Sequence, residues 1–200
     1  MRGCQWAVLA AAYLKEVMWQ ARISELPGRK LKHKFRLLGY GSNTVLKIAE
    51  ACSQGPAIAI GAPFCDKENL YNAYYILSEG KIKAIIKKHH LPNEEVFDEV
   101  RLFSSGNVDG PFQVDQMRIG SPICEDAWHT DIVETLAETG AHILLVPNGS
   151  PYYRGKTEIR QNIMVSRVVE SGLPLVYLNL VGGQDDQVFD GGSFVLNPAG

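Results

Sequence analysis

Ser121-Pro122-Ile123-Cys124-Glu125-Asp126-Ala127-Trp128 is the stretch of this sequence with the most chemical potential. A cysteine at the carboxyl end of a buried strand, at the turn toward a helix, sits where open α/β sheets place ligands. There its sulfur can face a cleft, and amides at the helix start favour a thiolate or a developing oxyanion. The competing reading is simple packing, because cysteine is among the most buried residue types. A thiol nucleophile also needs a group to take its proton, usually histidine. The chain has His33, His89, His90, His129 and His142. His142 opens an apolar strand and reads as structural. His129 is close to Cys124 but starts a helix and can point away from the cleft. The second route is a carboxylate base with a lysine that holds the intermediate's negative charge. Lys87-Lys88-His89-His90-Leu91-Pro92 offers that lysine, with a solvated basic strand end as the bland alternative. Both routes stay open on residue types alone.

Positioning these groups falls to the elements around them. Asn43 or Thr44 caps a short helix in which Val45, Ile48, Ala49 and Cys52 share one face, ended by Gly55-Pro56. Ala57–Ile60 reads as a short buried strand. Leu70–Leu77 and Ile82–Ile86 flank Ser78-Glu79-Gly80-Lys81 as a β-hairpin. Met117–Cys124 reads as a strand ending at the cysteine. Thr130–Thr139 follows as a helix with Ile132 and Leu136 on one face and Gly140 as its stop. Ala141–Val146 is an apolar strand, Lys156–Ser171 a longer helix, and Leu173–Leu180 another apolar strand. Phe189–Leu196 supplies a last strand after a Gly182-Gly183 loop. Apolar strands alternating with helices argue for a layered α/β protein. Ahead of these, Ala7–Met18 has a helical pattern and Gly28–Lys34 that of an exposed basic loop.

Composition sets the outer bounds. At 200 residues and 46% hydrophobic, the chain is long enough to bury a real core and suits one domain, with room for an appendage. A net charge of −2 makes no global case for nucleic acid. The charge is uneven, with residues 1–40 at net +6 and residues 41–200 at net −8. The basic run carries no nucleic-acid-binding motif, so it reads as a segment foreign to the domain behind it. Cysteines at 4, 52, 65 and 124 form no C-x-x-C pair, which argues against a disulfide scaffold or structural zinc and for a reducing, cytoplasmic setting. No apolar run has the length of a membrane span, and Lys15-Glu16 interrupts the faint outline of a signal peptide.

Several blocks taken together carry a family resemblance. Lys88-x-His90-Leu91-Pro92, Val96-Phe97-Asp98-Glu99 and Pro122-Ile123-Cys124-Glu125-Asp126 resemble the nitrilase, or carbon–nitrogen hydrolase, superfamily. Within it they are most similar to the amino-terminal glutaminase domain of glutamine-dependent NAD+ synthetases. Leu145–Tyr152, Leu175–Asn179, Gly182-Gly183-Gln184-Asp185 and Val188–Gly191 extend the resemblance, which covers about residues 56–200. It implies a nitrilase-type four-layer α-β-β-α sandwich, incomplete at both ends, behind an atypical segment 1–55. It also implies a Glu–Lys–Cys triad that hydrolyses the side-chain amide of glutamine through a thioester. By position Cys124 is the nucleophile, Lys88 the oxyanion-stabilising lysine and Glu99 the glutamate that orients it. Glu125, Phe97, Ser150 and Lys156 fall at substrate-binding positions, although Lys156 also reads as no more than a helix start.

The resemblance implies no cofactor and no metal for the hydrolysis. ATP and Mg2+ would belong to a synthetase domain, whose Ser-Gly-Gly-x-Asp-Ser loop is absent from these residues. Ammonia would pass to that domain as partner. Self-association is expected of the fold, and neither nucleic acid nor membrane is an expected partner. Two departures stand out. The block that supplies the general-base glutamate is missing at its usual place, leaving Glu25 as the candidate ahead of Glu16. Glu94 stands where the close family usually has Tyr, and a carboxylate there would repel a substrate carboxylate. Other readings are an amidase acting on another small amide and an inactive remnant of the fold.

Overall fold

A computed structural model describes residues 6–8, 44–51, 53–66, 69–94, 97–184 and 186–198. The chain forms two compact units, Met1–Asn107 and Val108–Gly200.

The first unit is a sheet of order β1-β2-β3-β4, built from β1 (Trp6–Val8), β2 (Ala57–Asp66), β3 (Asn69–Ser78) and β4 (Lys81–Lys87). β1 runs parallel to β2 with Trp6 opposite Ala57, and the remaining pairings are antiparallel. The expected hairpin is present. Its turn residues Glu79 and Gly80 both have positive φ (52° and 74°), the backbone twist that matches right-twisted strands. A helix over 44–51, α1, lays Val45 and Ala49 against Ala62, Ala73, Tyr75 and Leu77, as its spacing predicts. Burying each large apolar side chain in such a cluster contributes about 1.5–3 kcal/mol. β2 is longer than the expected four residues. Pro63 lies within β2, opposite Asn72 of β3. Ala7 and Val8 belong to β1 rather than to a helix, and residues 9–18 of that expectation lie outside the described residues. So do Cys52 and the basic run 28–34.

The second unit is a five-stranded sheet of order β11-β8-β7-β6-β5. Its parallel centre is β6 (Met117–Gly120), β7 (Ile143–Asn148) and β8 (Leu175–Asn179). α2 (Thr130–Glu138) connects β6 to β7, and α3 (Lys156–Ser171) connects β7 to β8. β5 (Phe112–Val114) and β11 (Phe194–Leu196) add antiparallel edges. Val133 and Leu136 of α2 and Met164 and Val168 of α3 pack on Leu144, Val146, Leu175 and Tyr177. α3 has the bounds read from the sequence and stops at Gly172, whose φ of 66° suits a residue without Cβ. Two expectations are corrected. The strand expected to reach Cys124 ends at Gly120, and Cys124 instead opens a short 3-10 helix, Cys124–Trp128. The Gly182-Gly183 segment is not a loop but β9 (Val181–Gln184), paired with β10 (Gln187–Asp190), so Phe189–Leu196 is split between β10 and β11. Among the described residues, no helix is long and apolar enough to cross a membrane.

Candidate active site

In the first unit the chemistry gathers where β4 ends. Lys88, the next residue, is 1% exposed. Its N–H donates to the Asn72 carbonyl (2.8 Å), and its carbonyl accepts from Gly106 N–H (2.9 Å). The strap 103–106 is sewn along this strand end. Ser104 N–H donates to Leu70 O, His89 Nδ1 donates to Gly106 O, and Ser105 Oγ donates to His89 O. Only glycine fits at 106, since a Cβ there would lie 2.3 Å from Lys87 Cβ and 2.9 Å from its carbonyl oxygen. The Lys88 ammonium donates to both Glu99 oxygens at 2.9 and 3.0 Å, and the Asn72 amide donates to Glu99 Oε2 at 3.3 Å. Burying two charges costs several kcal/mol per ion, and such a pair persists only with good geometry and additional hydrogen bonds. Both conditions hold here. Lys87, by contrast, lies over the Phe64 and Tyr71 rings. Phe97 is half-buried and donates its N–H to the Glu94 carbonyl, while Glu94 itself is exposed.

In the second unit Cys124 is a half-buried thiol, not in a disulfide, with φ of 50°. That left-handed conformation is uncommon for a side chain of this kind, and the surroundings hold it in place. Asp126, 2% exposed, accepts from Ile123 N–H at 3.1 Å and donates its own N–H to the Ile123 carbonyl at 3.0 Å, closing the turn on both sides of the cysteine. Ser121 Oγ anchors the approach by donating to Leu145 O on β7. Since Asp126 N–H is engaged with Ile123, the amides at this helix start are not all available to an oxyanion. Glu125 is half-exposed and lies 3.6 Å from His129 Nε2. His142 has the structural role expected of it, its Nδ1 accepting from Arg118 N–H across to β6.

Ser150, 5% exposed, sits in the turn after β7 within a dense polar network. Arg160, on the inner face of α3, donates to Ser150 Oγ (3.1 Å), Ser150 O (2.9 Å), Pro151 O (2.9 Å) and Asp190 Oδ1 (2.8 Å). Asn179 accepts from Ser150 N–H and donates to the carbonyls of Ser150 and Gly191. Tyr177 is fully buried beside this network. Burial pushes its phenol above the ordinary range, the Cys124 charge adds to that, and Arg160 opposes it. Lys156 opens α3 with its ammonium 4.7 Å from the Trp128 ring centre and 4.5 Å from that of Tyr153.

The sequence named Lys88, Glu99, Cys124, Glu125, Ser150, Phe97 and Lys156, and the structure joins Lys88 directly to Glu99. Glu25 and Glu16 lie outside the described residues. Asn72, Asp126, Arg160, Asn179 and Tyr177 were not singled out. One of them left a trace: Arg160 shares a helical stripe with Met164 and Val168, an arginine where the period demands an apolar residue.

A family model described as carbon-nitrogen hydrolase matches residues 27–200. The chain belongs to the carbon–nitrogen hydrolase family. A relative from Rhodobacter capsulatus, named glutamine-dependent NAD(+) synthetase, is 53% identical over 153 residues, covering 76% of this chain and 28% of its own length. The solved glutamine-dependent NAD+ synthetase of Acinetobacter baumannii, in complex with ADP, superposes with a TM-score of 0.74 at 27% identity. That match covers 96% of this hydrolase chain and 41% of the solved one. A carbon-nitrogen hydrolase from Helicobacter pylori matches at a TM-score of 0.77 over 96% of this chain and 82% of its own, at 21% identity, a likeness of fold alone. The α/β fold read from the sequence is therefore that of the nitrilase neighbours. The hydrolase chain spans under a third of the R. capsulatus relative's length.

Proposed function

We propose that this chain hydrolyses the side-chain amide of glutamine, as the glutaminase part of a glutamine-dependent NAD+ synthetase. The observation that carries the reading is the buried Lys88–Glu99 pair. A desolvated ammonium held by two carboxylate oxygens, one of which also accepts from the Asn72 amide, is a fixed positive charge, the device a developing oxyanion requires. Glutamine is favoured over another small amide by the strong likeness to the R. capsulatus protein across most of this chain.

The reading assigns Lys88 and Cys124 to one reaction. The Cys124 thiolate attacks the amide carbon, and the new S–C bond converts the carbonyl into an oxyanion that Lys88 stabilises while Glu99 orients the ammonium. Collapse breaks the C–N bond, and a carboxylate acting as general acid delivers the proton that lets ammonia leave. Water then attacks the thioester, releasing glutamate and restoring the thiol. For the general base, Glu25 is the candidate the sequence offers. Glu125 and Ser150 would bind the α-ammonium and α-carboxylate of the substrate, and Phe97 and Lys156 are further candidates for binding it. The hydrolysis needs no cofactor, and ATP and Mg2+ would act in a synthetase partner that receives the ammonia. Self-association and a cytoplasmic setting complete the proposal.

The test is ammonia release from glutamine by the purified chain. Release that disappears in Cys124→Ala supports the reading. Release from other small amides but not from glutamine would replace it with a general amidase.

A further inference from the structure

Every polar atom of Ser150 except one hydrogen has a fixed partner. Its N–H donates to Asn179 Oδ1 (2.9 Å), and its carbonyl accepts from Arg160 Nη2 (2.9 Å) and Asn179 Nδ2 (3.3 Å). Its Oγ accepts from Arg160 Nε at 3.1 Å. A hydroxyl has one proton and two lone pairs, so an Oγ that accepts from a guanidinium keeps its proton for donation. Because the guanidinium is charged, the bond is stronger than a neutral one and polarises the O–H. The Tyr177 hydroxyl, buried beside this network, makes no hydrogen bond among the described residues. Arg160 is 1% exposed and balanced by Asp190, whose side chain is 24% exposed, so its charge is held in place whether or not a substrate is bound.

We infer that Arg160 is a positioning residue: it makes Ser150 an obligate hydrogen-bond donor, so that Ser150 selects substrates bearing an acceptor such as a carboxylate beyond the scissile amide. This rests on the glutaminase reading and adds to it the residue that sets preference for the amino-acid head. A purely architectural Arg160, tying the turn after β7 to β10, would affect all substrates alike. Positioning affects only those with the head.

The experiment compares two electrophiles on the full chain, reading the labelling rate at Cys124 by peptide mass spectrometry. One is a diazoketone analogue of glutamine, which carries the amino-acid head. The other is iodoacetamide, which does not. The ratio of the two rate constants reports recognition of the head without requiring turnover. Arg160→Lys keeps the charge but not the fork of donors, and the ratio is expected to fall about tenfold, the order expected for one charge-assisted hydrogen bond. Ser150→Ala should lower the ratio to the same extent, and the double variant should go no further, because Arg160 acts through Ser150. An unchanged ratio in Ser150→Ala overturns the inference even if Arg160→Lys does not fold. So does an Arg160→Lys loss that persists in full in the Ser150→Ala background. If the wild-type chain itself shows no preference for the glutamine analogue, the glutaminase reading falls and takes this inference with it. A wild-type preference that Arg160→Lys leaves intact sinks the inference alone.

Discussion

Removing one member of the Lys88–Glu99 pair should be far more damaging than removing both. The two side chains are 2% and 3% exposed, so either charge left alone is stranded away from water. Glu99→Leu takes the Glu99 carboxylate away from the buried ammonium and is expected to cost about 3–5 kcal/mol of stability, the range for breaking a buried pair. Lys88→Met leaves the carboxylate its bond from the Asn72 amide, at a cost toward the lower end of that range. The double variant Lys88→Met/Glu99→Leu buries two apolar side chains of similar size and is expected near wild-type stability. The coupling energy, the double variant's loss minus both single losses, should therefore reach about 6 kcal/mol or more in magnitude, above the usual range for residues in contact. Urea unfolding of the four proteins gives the four corners of the cycle. Singles that each lose under about 1 kcal/mol, and whose losses add in the double variant, would refute the argument that the pair is buried and obligatory. Activity separates from stability in the same series. The double variant is expected to fold yet lose about 100-fold or more in kcat, because the oxyanion charge is gone.

Three further outcomes follow from the same coordinates. Gly106→Ala places a Cβ 2.3 Å from Lys87 Cβ, so the strap over Lys88 must shift, and thermal unfolding should show a loss of about 1–3 kcal/mol. Burial holds the Tyr74 and Tyr177 phenols neutral above their ordinary value of 10. The stability they contribute is complete below about pH 10 and is lost as pH rises from there through the folded-state values, because the unfolded chain ionises first. Denaturation between pH 9 and 11.5 should steepen by about 1.4 kcal/mol per pH unit per tyrosine, less in Tyr74→Phe or Tyr177→Phe. Glu94→Tyr removes an exposed carboxylate from the turn before Phe97 and is expected to lower KM for glutamine several-fold with kcat little changed. Steady-state ammonia release reads that split directly.

Much of this architecture was legible because the responsible forces are local. The hairpin of β3 and β4 is written in two apolar runs around Glu79-Gly80, and α3 in a stripe closed by Gly172. The part of β2 beyond Ile60 was not read, because Gly61-Ala62-Pro63 carries a turn's composition while its backbone pairs with β3. The β9–β10 ribbon was missed because Gly182-Gly183 carries a turn's composition while its backbone is paired. At the site, residue types and order marked Lys88, Glu99 and Cys124. Asn72, Asp126 and Arg160 escaped notice because each acts through another residue's geometry, and that partnership exists only after packing.

On the glutaminase reading, the ammonium of Lys88 and the sulfur of Cys124 serve a single acyl transfer. Glutamine offered together with hydroxylamine tests it, since a thioester is captured as glutamyl hydroxamate whether or not hydrolysis completes. The wild-type chain should give hydroxamate and Cys124→Ala none, with formation slowed by about 100-fold or more in Lys88→Met. Hydroxamate formed at the wild-type rate by Lys88→Met, or formed at all without the cysteine, would contradict it.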